Sequence, residues 1–235
     1  MSTILQIAQS IATRWGLPKP ASLFTNSDQT ANQILELIRE EVSSLSRRYQ
    51  WQALINRVEL TTVATESQGA ITTLFPAHDY IINDTVWNVT TSLPIFGAMT
   101  PKSYNSQKAI ITATPYPQYT IRNGLFLIYP APNAGETIAV DYMTKYVGKD
   151  NSNALITDFT ADTDMPLLDN EAVTLGALWR FKAQKGFDYA EDFNKYERVV
   201  KELMTRDAPK EVGDLGGGLN DSIGGVIIPL GSWSV

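Results

Sequence analysis

The sequence DNEAVTLGALWRFKAQKGFDYAEDFNKYERVVKELM, residues 169–204, predicts two amphipathic helices joined by a tight turn. Asp169 is a favourable N-cap residue, because its side chain can accept a hydrogen bond from a free amide of the first turn. The first helix carries Ala172, Leu175, Gly176, Trp179 and Ala183 at the three- and four-residue spacing of a single face. Gly186 supplies the left-handed conformation with which many helices end.

The second helix of this hairpin begins near Asp188, which forms a variant of the capping box with Glu191 three residues later. Its apolar face consists of Tyr189, Phe193, Tyr196, Val200 and Leu203. Arg180, Lys182 and Lys185, interleaved with Trp179 and Phe181, could form a basic aromatic surface for nucleic acid. Cations in the last turns of a helix also stabilise its dipole without any ligand. We therefore interpret the hairpin as a packing element.

Composition limits the classes of protein that the chain can represent. Its 235 residues are 43% hydrophobic and 19% charged, which suits one or two globular domains. A net charge of -6 argues against a surface that neutralises DNA phosphates, although it permits passive passage of DNA. The absence of cysteine excludes disulfides and thiolate chemistry, and fits assembly in a reducing cytoplasm. We expect no signal peptide and no membrane segment, because residues 1–17 lack a basic start and no apolar run approaches about 20 residues.

Two further helices are predicted near the N-terminus. The first carries Ile4, Leu5, Ala8, Ile11, Ala12 and Trp15 on one face and ends at Gly16 and Pro18. Asn26 and Gln29 predict a capping box that opens a helix extending to about Tyr49. The stripe of this helix is Ala31, Ile34, Leu35, Ile38, Val42, Leu45 and Tyr49. Helical hairpins at both ends of the chain favour a single bundle of four helices.

Residues 51–148 change to the two-residue period of β-strands. Strands are predicted at residues 57–63, 80–91, 119–122, 125–129 and 137–146. Asn83-Asp84 is expected to turn the second segment into a hairpin, and Asn123-Gly124 predicts a type I′ hairpin. Residues 92–106 are predicted to be a long loop. Together these signals indicate an antiparallel sandwich or small barrel.

The predicted fold class is therefore α+β. Its parts are a helical bundle made of N- and C-terminal helical hairpins (1–50 and 167–207), an inserted antiparallel β domain (51–148), an acidic linker (149–166) and an extended C-terminal arm (208–235). The arm is rich in glycine, yet it carries Val226, Ile227, Ile228, Leu230 and Trp233. Apolar residues in a segment without a period are expected to contact a partner. Packing on its own domain, or fraying as a terminus, is the alternative.

Few residues suggest catalysis or metal binding. His78 is the sole histidine, and Asp79 beside it could orient a general base, but neither a cysteine nor a G-x-S-x-G motif is present to pair with it. Asp158, Asp162 and Asp164 could hold calcium or magnesium, but they lack the glycine and terminal glutamate of an EF-hand. Aspartates that cap turns or meet nearby cations are the alternative. We predict no enzyme, no metal and no cofactor.

Six segments of the chain carry a family resemblance. They are LDNE (168–171), LWRFKA (178–183) and KGFDYAE (185–191) in the hairpin, FTADTD (159–164) before it, and DYIINDTVWN (79–88) and residues 119–132 among the strands. These segments resemble the head-to-tail adaptor proteins of tailed double-stranded DNA phages, also called head-completion or tail-tubular proteins. The N-terminal helix pair fits as well, so that the resemblance covers most of residues 1–207.

The resemblance implies a virion structural protein at the head–tail interface, assembled in the host cytoplasm. Such a protein forms a ring, typically of twelve copies, that sits under the portal, joins capsid to tail and lines the DNA channel. Its partners would be other copies of itself, the portal protein, a tail protein and DNA that passes without sequence-specific binding; no membrane is implied. The C-terminal arm would reach the portal or a neighbouring subunit.

An alternative function is a carbohydrate- or receptor-binding β module on a helical stalk. Trp87, Tyr116, Tyr119 and Tyr129 are the aromatic residues that such a site could use. Packing in the core of the strands explains the same residues equally well.

Overall fold

The computed structural model describes residues 2–25, 28–109 and 116–208, and this part of the chain is α+β. Its helices are α1 (Ile4–Arg14), α2 (Gln29–Arg48), α3 (Ile71–Leu74), α4 (Pro101–Ala109), α5 (Asn170–Lys185) and α6 (Ala190–Asp207). Its strands are β1 (Ile55–Thr61), β2 (Ser67–Ala70), β3 (His78–Ile81), β4 (Trp87–Asn88), β5 (Leu93–Pro94), β6 (Gln118–Arg122), β7 (Leu125–Tyr129), β8 (Thr137–Thr144), β9 (Gly148–Lys149), β10 (Leu155–Ile156) and β11 (Met165–Pro166). A short 3-10 helix, Gln52–Leu54, precedes β1.

Helices from both ends of the chain share one hydrophobic core. Ile11 of α1, Ile38 of α2, Val173 of α5 and Val200 of α6 are all inaccessible to solvent and belong to the same cluster. Full burial of an aliphatic side chain contributes about 1.5–3 kcal/mol relative to its exposure. The N-terminal and C-terminal segments are therefore held together by side-chain packing, with α5 in contact with α1, α2 and α6.

The ends of α5 are as the sequence predicts. The Asp169 carboxylate accepts hydrogen bonds from the amides of Glu171 and Ala172, at 2.8 and 3.2 Å. Gly186 has a left-handed φ of 75°, and the amide of Phe187 donates to the carbonyl of Lys182. This pattern is a Schellman motif, which satisfies carbonyl groups that the helix leaves free.

Two helices begin at other residues than the sequence predicts. Helix α2 begins at Gln29 with Asp28 as its N-cap, whose side chain accepts from the amide of Thr30 at 3.1 Å. Asn26, the predicted cap, lies outside the described residues. Helix α6 has Tyr189 at its N-cap position, and Asp188 accepts from the amide of Ala190 instead of forming a capping box. Several neighbouring residues can cap a helix by the same chemistry, so the sequence alone does not select one.

Strand β8 organises the largest sheet. Strand β1 pairs antiparallel with β8 along its length, from Ile55 opposite Met143 to Thr61 opposite Thr137. Strands β3 and β4 both pair with the other edge of β8, and β5 pairs with β4. The predicted hairpin at Asn83-Asp84 is therefore wrong, because β3 and β4, on either side of this dipeptide, pair with β8 and not with each other.

Strands β6 and β7 form the predicted hairpin. Asn123 and Gly124 both have positive φ, at 49° and 71°, as a type I′ turn requires. Strand β2 pairs with the other edge of β7 to complete a three-stranded sheet. The ring of Phe75 lies between this sheet and the β8 sheet, 5.4 Å from the rings of both Phe126 and Tyr142. The two sheets share this core, and neither closes into a barrel within the described ranges.

Two segments that the sequence predicts to be irregular contain regular structure. The predicted loop at residues 92–106 includes β5 and most of α4. Helix α4 buries none of its side chains, so it has no apolar stripe by which it could be recognised. Residues 149–166, predicted to be an acidic linker, contain β10 and β11, which pair with β9 in a small sheet. The division of the chain into domains stays a prediction, and residues 209–235 lie outside the described structure.

Candidate assembly interface

An exposed aromatic surface lies at the turn between α5 and α6. We define this aromatic surface as Trp179, Phe187, Tyr189 and Phe193. The last three side chains are 62%, 44% and 36% exposed, while Trp179 is half-buried and meets Phe193 edge to face with ring centroids 5.2 Å apart. Exposed apolar side chains that adjoin one another mark interaction surfaces more often than isolated ones do.

Local structure explains why this surface is open. The Schellman turn after Gly186 projects Phe187 at the tip of the hairpin. The predicted apolar face of α6 is buried at Tyr196 and Val200 but exposed at Tyr189 and Phe193. The first turn of α6 thus carries the aromatic residues of a core helix without a covering element in the described part of the chain.

A buried ion cluster lies beneath this surface and links three helices. Glu41 of α2 is completely buried, and its Oε2 accepts a hydrogen bond from Nε of Arg180 in α5 at 2.7 Å. Its Oε1 accepts from the hydroxyl of Tyr196 in α6 at 2.5 Å. Arg180 also donates from Nη1 to Glu40 at 2.7 Å. Burial, together with the hydrogen bond to Glu41, raises the pKa of Tyr196, so its hydroxyl remains a donor.

Gly176 makes room for this cluster. A Cβ atom at this position would lie 2.1 Å from Cδ of Glu41, which is well inside the distance at which two non-bonded carbon atoms can approach each other. The sequence places Gly176 on the buried face of α5, but it does not reveal that the residue opposite is a carboxylate. The apolar stripe predicted for α2 does not include Glu41, so the sequence does not predict that this residue is buried. Its position in the helix could have indicated burial, because Glu41 is three residues after Ile38 and four before Leu45, and both of these are buried.

The cations of α5 all have partners within the chain. Arg180 pairs with Glu40 and Glu41, and its guanidinium lies 4.8 Å from the ring centre of Trp179. Lys182 forms an ion pair with Asp192 of α6. Lys185 is 3.5 Å from the side-chain oxygen of Gln33. These contacts support the interpretation that the cations stabilise the helices.

The aspartates at 158, 162 and 164 all have partners within the fold. Asp158 pairs with Arg39 at 3.0 Å, and Asp162 accepts from the amide of Leu23 at 2.8 Å. Asp164 is buried and accepts from the amides of two residues just before it, Thr160 and Ala161. The alternative prediction, that these residues cap turns and meet a cation, is confirmed. No group of three or more potential metal ligands comes together in the described ranges.

His78 packs against aromatic rings at the start of β3. Its ring centre is 6.1 Å from that of Phe75 and 6.2 Å from that of Tyr142. Burial lowers the pKa of His78, and the positive charge of Lys145 lowers it further. Asp79, the residue predicted to orient it in an enzyme, is paired with Lys145 at 3.9 Å. This environment is that of a packing residue.

The four aromatic residues of the carbohydrate-binding alternative have different environments. Tyr119 is buried in the core of the sheets, and Trp87 and Tyr129 are half-buried. The ring of Tyr129 is covered by Nζ of Lys108 at 4.9 Å, and Tyr116 packs edge-on against Phe96. Tyr119 therefore belongs to the packing of the fold, and the sugar-binding alternative stays a hypothesis. The predicted arm contacts, Val226, Ile227, Ile228, Leu230 and Trp233, lie outside the described residues and stay predictions.

The fold and this surface define the class only as far as an α+β protein in which polar side-chain clusters hold helices together. No helix among the described residues has the length and apolar character to span a membrane. The family model of the SU10 adaptor protein matches residues 2–213, and the chain therefore belongs to this family of phage head-tail adaptors. Its members are virion components of the head–tail junction and structural proteins. A search of curated proteins finds no match. The family match confirms the resemblance seen in the sequence.

Proposed function

We propose that this adaptor forms a ring beneath the portal, joins the capsid to the tail and lines the channel through which the genome is ejected. The observation that carries the proposal is the family match over residues 2–213, which includes every described helix and strand. An adaptor must contact phage head and tail proteins on either side of it. A closed ring is the simplest symmetric arrangement that does this around a central passage.

In this proposal the helices form the wall of the ring, and the sheets face outward or toward the tail. The shared core of α1, α2, α5 and α6 supports this assignment, because it makes one body from both ends of the chain. The buried ion cluster adds a specific constraint, since Glu41 has its hydrogen bonds only when α2, α5 and α6 keep their positions. A stable wall of this kind can hold the portal and the tail in fixed positions relative to each other.

The charge of the chain supports a channel that DNA crosses without adhering. The net charge is -6, and two of the three cations of α5, Arg180 and Lys182, already form ion pairs within the protein. DNA affinity depends on free lysine and arginine that replace counterions at phosphates. We therefore expect no sequence-specific DNA binding.

Deleting residues 211–235 is expected to abolish binding to the portal of the same phage. These residues include the five apolar residues that are predicted to contact a partner, and each buried apolar side chain contributes about 1.5–3 kcal/mol. Co-sedimentation of the adaptor with purified portal measures the effect. A second variant has the full length of the chain and should lose portal binding to the same extent. In it, serine replaces Val226, Ile227, Ile228, Leu230 and Trp233. Portal binding by the truncated chain at wild-type affinity would show that the arm is not the contact.

A further inference from the structure

A segment that covers the aromatic surface must match its chemistry. This surface consists of aromatic rings, and Asp188 beside them accepts a hydrogen bond from the amide of Ala190. Lys182, a cation close by, is already paired with Asp192. A segment that docks here should therefore bring apolar side chains and little charge, because an unpaired charge that is removed from water costs free energy.

The chain itself contains such a segment. Residues 222–235 carry no charged side chain, and within them stand the apolar run 226–230 and Trp233. Helix α6, which has Tyr189 at its N-cap position and bears Phe193, also leads into this part of the chain, since it ends at Asp207. The surface and the segment are thus joined by one continuous stretch of sequence.

The length of the connection allows the two to meet. Helix α6 has 18 residues and is therefore about 27 Å long, which separates the aromatic surface from Ala208. Residues 209–225 include six glycines. A glycine-rich chain of about 18 residues has a root-mean-square end-to-end distance of about 23 Å and a maximum reach of about 60 Å. The segment at 226–233 can therefore return along α6 to its first turn.

We propose that residues 226–233 dock on the aromatic surface of the same chain while the protein is free of its assembly partners. A tether of this length gives an effective concentration of about a millimolar, which exceeds that of a second copy in a micromolar solution. The docked segment shields both apolar surfaces from water before assembly, and it must leave when the arm binds elsewhere. The inference concerns the free protein and holds whether or not a ring forms.

Cross-linking of introduced cysteines tests this, because the natural chain has none. Asn194 lines the aromatic surface, and Glu202 is an exposed residue of α6 nearer to Ala208. The variants Asn194→Cys/Ser232→Cys and Glu202→Cys/Ser232→Cys are oxidised with copper phenanthroline at low micromolar protein, and intramolecular disulfides are counted by mass spectrometry. We expect the first pair to link about tenfold faster, although Glu202 is closer to the start of the connection.

Two exposed aromatic residues give a matched control. Adding Phe187→Ser should reduce the Asn194→Cys/Ser232→Cys rate to that of the Glu202→Cys pair, whereas Phe96→Ser, just after β5, should leave it unchanged. Both side chains are exposed, so neither change removes a core residue. Equal or faster linking of the Glu202→Cys pair would overturn the proposal. Disulfides formed mainly between two copies would also overturn it, and would assign the surface to a second chain.

Discussion

Replacing Arg180 with leucine is expected to lower the free energy of unfolding by about 3–5 kcal/mol. Glu41 is completely buried and has its only described cationic partner in Arg180, at 2.7 Å. Without the guanidinium, the carboxylate stays buried and uncompensated, and Tyr196 alone donates to it. Chemical denaturation monitored by circular dichroism measures the loss.

Two variants separate this effect from the loss of any surface arginine. Arg57→Leu removes the cation of an exposed pair with Glu59, in which both side chains are 59% exposed, and should cost about 0–1 kcal/mol. Adding Glu41→Gln to Arg180→Leu should recover part of the stability, because no buried charge then remains. If Arg180→Leu costs no more than Arg57→Leu, the cluster does not hold the helices together.

Gly176→Ala is expected to destabilise the protein by about 2–3 kcal/mol, which reverses the usual effect of this substitution in a helix. Alanine normally stabilises a helix interior by about 1 kcal/mol relative to glycine. Here its Cβ would meet Cδ of Glu41 at 2.1 Å, so that either α5 or the Glu41 side chain must move. Thermal and denaturant unfolding of the single variant measure the cost.

The Glu41→Ala background provides the control for Gly176→Ala. With the side chain of Glu41 shortened, the added methyl group has room, and the cost of Gly176→Ala should fall by more than half. A cost that is the same in both backgrounds would contradict the close contact between α2 and α5. A gain in stability from Gly176→Ala alone would contradict it as well.

Local signals explain which parts of the fold could be predicted from the sequence. Asp169, Gly186 and Asn123-Gly124 act through the backbone next to them, and each occurs where the sequence indicates. The pairing of β3 and β4 with β8 depends on residues about 50 to 65 positions away, which no local pattern specifies. Helix α4 was missed because an exposed helix has no apolar period.

The candidate site was only partly visible for a similar reason. The sequence shows the aromatic residues of α5 and α6, but helical periodicity predicts one buried face and cannot show that Phe193 is exposed while Tyr196 is buried. Glu41 resembles any other acidic residue of α2 until α5 and α6 are packed against it. Tertiary contacts therefore decide which polar residue becomes structural.

The mass of the assembled particle tests the proposed function most directly. Native mass spectrometry would compare the portal alone, the adaptor alone and their mixture. We predict that the mixture gains a whole ring, so that the portal mass increases by about twelve times the 26.0 kDa of the chain, which is the stoichiometry that the sequence resemblance implies. A mixture in which the portal mass is unchanged and the adaptor stays at 26.0 kDa would contradict the proposal that this protein forms a ring on the portal.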